Sequence, residues 1–277
     1  MLDVEQLVRD LGVGSLAELR IGLDALAAAV SAPPAVHEVR DTELPLPGRS
    51  IAIRTYRPTP GDLPTLMWFH GGGYVCGSLD AIDPTCRELA VRAQVEVVSV
   101  AYRLAPEHRF PAGLDDCLEA VRVLRPQAVG GDSAGGGLAA VVAQRVPGLR
   151  AQVLICPWLD ATLTLPSVRA QSSPDDLNEG ALRAFFHLYA DDAADPGVSP
   201  LHAQDLSTAA PAVIVTAGRD PLRDDGACYA ERLQAAGVTV HARCWDDERH
   251  GFSGMTAETA AAAESVQWAS DRLRELL

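Results

Sequence analysis

The 277-residue chain has no run of about 20 consecutive apolar residues, so no membrane-spanning helix is expected. Its N-terminus carries Asp3 and Glu5 where a secretory leader would carry basic residues and an apolar stretch. Basic residues are outnumbered, 23 against 37 acidic, and the formal charge of −14 repels phosphate backbones and anionic lipid surfaces. Neither nucleic acid nor membrane is an expected partner. The six cysteines, Cys76, Cys86, Cys117, Cys156, Cys228 and Cys244, form no C-x-x-C or Cys/His pattern, and H-E-x-x-H is absent. No metal centre is expected from either absence. Free thiols behave as small hydrophobes, and six of them suit a soluble cytoplasmic protein. No internal repeat is present, only an Ala-rich patch at 257–263.

What the chain does have is a 48% hydrophobic composition, enough for one large core. Residues 1–34 read as N-terminal cap helices, at 2–11 and 15–30, the second opened by a capping box from Ser15 to Glu18. Leu16, Leu19, Leu23 and Leu26 recur at three or four residues, so one face of this helix needs cover from the domain or from a substrate. Alternating runs at 36–44 and 49–57 predict an antiparallel pair. Short continuous apolar runs follow at 65–69, 95–102, 128–130, 153–156 and 212–216, with a last strand at 238–245. Such runs are the pattern of strands buried on both faces of a parallel sheet. Helices are expected between and after them at 84–93, 113–124, 134–145, 224–236 and 256–277. The predicted fold is α/β, a mostly parallel central sheet with helices on both faces and a small helical cap. Residues 35–277 form the expected catalytic domain, with a lid insertion at about 160–205 that includes Phe185 and Phe186.

Gly131-Asp-Ser-Ala-Gly135 lies between a short buried strand and an Ala-rich helix, the setting of a nucleophile elbow. The sharp turn strains the serine backbone and leaves no room for side chains two residues before and after it. Gly131 and Gly135 meet that demand. Ser133 then sits at a helix N-terminus, where free amides favour developing negative charge, the Ala134 amide among them. The alternative of a phosphate-binding loop is disfavoured, since no Lys-Ser or Lys-Thr follows the glycines. His70-Gly-Gly-Gly73 leaves the end of another predicted strand, so Gly71 and Gly72 can turn amides toward an oxyanion. His70 is assigned to shaping that loop.

A serine hydroxyl needs an imidazole to take its proton, and the imidazole needs a carboxylate to fix its tautomer. Asp220 follows the 212–216 strand and is the best-placed acid, ahead of Asp224 and Asp225 in the next helix's first turn. His250 follows the last strand beside Gly251. His108, His187 and His202 fall in turn or lid segments with no matching acid in view.

These segments, with the stretch from Tyr102 to Ala112, resemble the bacterial hormone-sensitive-lipase-like esterases of the α/β-hydrolase superfamily, over about residues 40 to 255. The resemblance implies a carboxylesterase for short to medium acyl chains that needs no cofactor. It implies Ser133 as nucleophile, Asp220 as orienting acid, His250 as base, and Gly71, Gly72 and Ala134 as oxyanion donors. It also implies that the N-terminal helices and the insertion cover the site, with residues 102–112 as scaffolding beneath the oxyanion loop. The chain departs from its relatives at Gly137, where they usually carry Asn, and in a short link from Leu124 to Ala128. Phe185, Phe186 and Leu26 are candidates for an apolar substrate wall. Amide hydrolysis would use the same triad, whereas a non-catalytic receptor on this fold would need only the pocket. The last strand could pair edge to edge in a homodimer.

Overall fold

Each central strand is short because helices cover it on both sides, so its alternate residues enter two separate cores. The computed structural model describes residues 14–29, 33–173 and 176–277; the helix expected at 2–11 lies outside them. An antiparallel pair, β1 (Glu38–Leu46) and β2 (Arg49–Arg57), opens an eight-stranded sheet. It continues with β3 (Thr65–Phe69), β4 (Glu96–Val100), β5 (Ala128–Asp132), β6 (Ala151–Ile155), β7 (Ala212–Arg219) and β8 (Val240–Arg249), in the order β1-β2-β4-β3-β5-β6-β7-β8. From β4 to β8 every pair is parallel.

Met67, Phe69, Val129, Leu154 and Ile214 face one core, closed by α3 (Ala112–Leu124), α4 (Ala134–Arg145) and α7 (Arg223–Ala235). Leu66, Trp68, Ala128, Val153 and Val215 face the other, closed by α2 (Asp83–Ala93) and α8 (Ala260–Leu276). The expected α/β architecture is therefore present, with small shifts at element ends. The last helix begins at Ala260 rather than at 256, and β8 runs to Arg249 rather than stopping at Trp245. Its pairing with β7 continues past a register shift between Ala217 and Arg219, from Ala217–Trp245 to Arg219–Arg249. Both strands are lengthened toward the same end of the sheet.

The short link after α3 closes without strain on the strands it joins. Arg125 takes the left-handed C-cap conformation at φ 50, and Gln127 bridges both neighbours. Its Oε1 accepts from the Thr65 amide at 2.7 Å and its carbonyl from the Arg150 amide at 2.8 Å.

Two further segments lie over the carboxyl ends of the strands. In α1 (Leu16–Ala29) the Ser15 Oγ accepts from the Glu18 amide and the Glu18 carboxylate from the Gly14 amide, each at 3.1 Å, close to the predicted capping box. Arg20 ties this helix down by donating to the Val75 and Ala105 carbonyls at 2.9 and 3.0 Å and to Glu107 at 2.8 Å. Between β6 and β7 the insertion forms α5 (Pro166–Ala170) and α6 (Glu179–Tyr189), the latter capped by Asn178 accepting from Ala181 at 3.0 Å. Tyr189 stacks on Tyr74 with ring centroids 3.9 Å apart, docking α6 beside the 70–73 loop.

Asp116 of α3 has no solvent exposure and gathers three separate pieces of chain. It accepts from Arg49 Nε of β2 at 2.7 Å and from the Arg103 amide and Nε at 2.9 and 3.1 Å. Replacing it leaves the Arg103 amide without its acceptor and the two half-buried guanidiniums with only Glu119, the Pro47 carbonyl and the Ala112 carbonyl. Asp116→Ala is expected to cost about 3 kcal/mol of folding stability, read as a lowered urea midpoint at unchanged slope.

Candidate active site

Ser133, between β5 and α4, is held in a strained conformation at φ 52, ψ −120. Such a conformation costs on the order of 1–3 kcal/mol and persists only where its surroundings enforce it. Here the enforcement is close packing of backbone on backbone. A Cβ on Gly135 would collide with the Phe69 and His70 carbonyls, and one on Gly131 with the Gly135 carbonyl. Ser133 is further held by its amide donating to Ile155 at 2.9 Å and its carbonyl accepting from Trp158 at 2.9 Å. Gly137 is explained in the same way, since a Cβ there would lie 2.6 Å from the Tyr74 hydroxyl and 2.5 Å from the Trp158 carbonyl. The missing side chain lets α4 lie close against the chain after β6.

The lengthened β7 and β8 deliver Asp220 and His250 to the same place. His250 Nε2 lies 3.0 Å from Ser133 Oγ, and its Nδ1 lies 2.8 Å from Asp220 Oδ2. Asp220 is fully buried, and its Oδ1 accepts from the Leu222 amide at 2.8 Å. Both competing carboxylates are occupied elsewhere. Asp225 accepts from the Leu159 and Asp160 amides at 2.7 and 2.8 Å, and Asp224 from the Ser167 amide at 2.9 Å. Burial alone would lower the His250 pKa. The charge and hydrogen bond of Asp220, helped by Asp132 and Asp176, outweigh it and raise the imidazole above its ordinary value.

The 70–73 loop differs in one respect from expectation. Gly71 does not keep its amide free, because that amide donates to Asp132 Oδ2 at 3.1 Å, while Trp68 Nε1 donates to Asp132 Oδ1 at 3.2 Å. Burial lifts this carboxyl to about 6, against those two hydrogen bonds and the His250 charge. Among the described residues the amides of Gly72, Gly73 and Ala134 have no acceptor. Beneath the loop, Tyr102 donates to the His70 carbonyl at 2.7 Å and stacks on the His70 ring at 4.4 Å, so the 102–112 stretch does underlie it. His70 Nδ1 sits 2.8 Å from the Gly71 carbonyl, holding the turn. Asp132, the variable position of the G-x-S-x-G pattern, was thus a structural member that composition gave no reason to single out.

Ser133 and His250 open on a cavity of about 280 Å³ whose walls include Ala81, Ile82, Pro84, Ile155 and Met255, with Asp24 of α1 at its edge. Phe185 and Phe186 are not among its lining. The Phe185 ring instead packs on Gly73, and Phe186 is half-buried against the core. The side chain of Leu26 lies outside the described residues.

A family model described as the alpha/beta hydrolase fold matches residues 66–254. The chain belongs to the hormone-sensitive-lipase-like esterase family of α/β hydrolases. Carboxylesterase NlhH of Mycobacterium tuberculosis is 41% identical, with 78% of this chain and 75% of the relative covered. Ethyl acetate hydrolase of Pseudomonas putida is 38% identical, covering 83% and 80%. The solved hyperthermophilic esterase from Pyrobaculum calidifontis superposes with a TM-score of 0.89 at 34% identity, over 94% of this chain and 93% of that one.

In this α/β hydrolase a second Asp–His contact exists that sequence reading missed. His202 Nε2 lies 3.0 Å from Asp160 Oδ1, so the expectation that His202 lacks an acid is corrected. That acid also accepts from the Thr162 amide and hydroxyl at 2.9 and 2.6 Å, which makes it a turn-forming group of the insertion. The ligating atoms of Cys156, Asp220 and His250 lie within 4.8 Å of one another. Burial first, and the Asp220 charge next, hold the Cys156 thiol well above its usual range. A neutral thiol beside an acid and base already bonded to each other is a poor metal donor set.

Because a neutral imidazole accepts the serine proton, kcat/KM is expected to rise with pH along an acid limb centred above the ordinary histidine value of about 6.5. Asp220→Asn removes the interaction that outweighs burial, so its limb should move downward while kcat falls by about 10⁴. A pH–rate profile of both proteins checks the shift; an acid limb that stays in place in the variant contradicts it.

Proposed function

We propose that this hydrolase is a carboxylesterase that cleaves small esters of short to medium acyl chains through an acyl-serine intermediate. The observation that carries the reading is the continuous hydrogen-bonded chain Ser133–His250–Asp220 opening on a mainly apolar cavity. Ser133 Oγ attacks the ester carbonyl carbon and its proton passes to His250 Nε2. The carbonyl oxygen becomes an oxyanion facing the Gly72 and Ala134 amides, with the Gly73 amide next to them. Gly71 acts differently from expectation, fixing the loop through Asp132. Collapse expels the alcohol, which takes the proton from His250. Water then adds to the acyl-serine with His250 again as base, and the acid leaves.

The names of relatives, a carboxylesterase and an ethyl acetate hydrolase, support an ester as substrate. The cavity's size supports a small one, since pockets that enclose drug-sized ligands hold about 300–1,000 Å³. The α1 helix, which brings Asp24 to the lining, serves as its cap, whereas no described residue of the 160–205 insertion lines it. All six cysteines are unpaired, which suits a reducing compartment such as the cytoplasm. Among the described residues no helix is long and apolar enough to cross a membrane. The outer edge of β8 offers hydrogen-bonding groups for a homodimer, which sedimentation equilibrium would reveal as a doubled mass.

Ser133→Ala is expected to abolish burst and steady-state release of p-nitrophenol from the butyrate ester while keeping the circular dichroism spectrum. Across a series of p-nitrophenyl esters, kcat/KM should peak at short to medium chains and fall steeply by palmitate. Turnover retained without the serine hydroxyl would refute the assignment, and a maximum at palmitate the size class.

A further inference from the structure

We propose that Asp24 makes this cavity selective for esters bearing a protonated amine, an inference that rests on the esterase reading above. Asp24 lines the same cavity as Ser133 and His250. It projects from α1 one turn beyond Arg20, whose bonds to Val75, Ala105 and Glu107 hold the helix over the loop. Its Oδ1 is withdrawn from solvent and has no hydrogen-bond partner among the described residues. With one oxygen enclosed by protein and given no donor there, the carboxylate's charge is left uncompensated beside the cavity, where a ligand ammonium group would meet it.

Among the described residues no arginine or lysine lines the cavity to neutralise this acid. The other ionisable groups of the lining are His70, Asp132, Cys156 and His250. Burial lowers the His70 pKa, so that ring supplies no compensating charge near neutral pH. Arg20, the nearest cation on the same helix, is committed to Glu107. The remaining wall is apolar at Ala81, Ile82, Pro84, Ile155 and Met255, and a poorly hydrated wall strengthens the pull of a carboxylate on an ammonium group. The chain's net charge of −14 draws cationic substrates in the same sense. A carboxylate-bearing ester meets the opposite field.

Two isosteric pairs test this near neutral pH, where the amines are protonated. 2-(Dimethylamino)ethyl butyrate against 3-methylbutyl butyrate puts the charge on the alcohol, and ethyl 4-aminobutyrate against ethyl pentanoate puts it on the acyl group. The ratio of kcat/KM within each pair is the readout. For the wild-type protein at least one ratio should favour the amine by about tenfold, as for a partly desolvated ion pair. That ratio should fall toward one in Asp24→Asn and persist in Asp24→Glu. The pair that responds tells which side of the ester Asp24 faces. Equal or greater turnover of the neutral member in both pairs by the wild-type protein overturns the proposal, as does a preference that survives Asp24→Asn. Hydrolysis of every neutral ester with no amine preference rejects only the role of Asp24. Failure to hydrolyse any of the four, or p-nitrophenyl butyrate, rejects the esterase reading and this proposal with it.

Discussion

The contact on which the site depends is backbone against backbone, where the turn between β5 and α4 presses on the end of β3. Gly135 sits against the Phe69 and His70 carbonyls, and Gly131 against Gly135 itself. Because nothing but glycine fits, the turn cannot relax, and Ser133 is kept at φ 52 with its hydroxyl at the rim of the sheet. The same contact brings the 70–73 loop beside the first turn of α4. Asp132 completes the joint, its side chain accepting from Gly71 and Trp68. One rigid junction thus holds the nucleophile and its neighbouring donors together, and little has to move during reaction.

Around that junction the electrostatics are uneven by construction. Asp220 is fully buried and satisfied by the Leu222 amide and His250, and its charge and hydrogen bond are what raise the imidazole. Asp132 is buried with weaker support and is pushed up to about 6. Burial pushes Asp225 well above the usual carboxylate range, although two amides point at it. Each of these three acids meets two donors, so they differ in which groups those donors are: an amide and the imidazole for Asp220, an indole and a loop amide for Asp132, two amides of the chain after β6 for Asp225. Asp24 completes the series at the cavity edge, with a donor missing on one oxygen.

Much of this was legible in the residues. Strand and helix order followed from runs of apolar residues whose length fits a sheet covered twice, and Gly131 and Gly135 announced a turn that tolerates no side chain. Asp220 and His250 stood out because each follows a strand, where α/β sheets assemble their sites. The oxyanion loop was legible as a glycine cluster, but which of its amides is free was not. That depends on Asp132 Oδ2 reaching Gly71 across two strands. The Phe185 and Phe186 rings looked like pocket wall because aromatic residues on an insertion have two uses, packing and binding, that share one pattern. Phe185 covers Gly73 instead. His202 appeared to lack an acid because its partner, Asp160, belongs to a turn folded back from the end of β6.

By itself the sequence determined the layered α/β fold, the strained serine turn and the order of acid and base, since these rest on local sterics and on hydrophobic periodicity. Both are written in short windows of chain. The tertiary structure decided which carboxylates are satisfied, which glycine amides remain unpaired and which side chains reach the cavity. Those outcomes depend on hydrogen bonds and burial between segments far apart in sequence, where the identity of a residue does not reveal its neighbours.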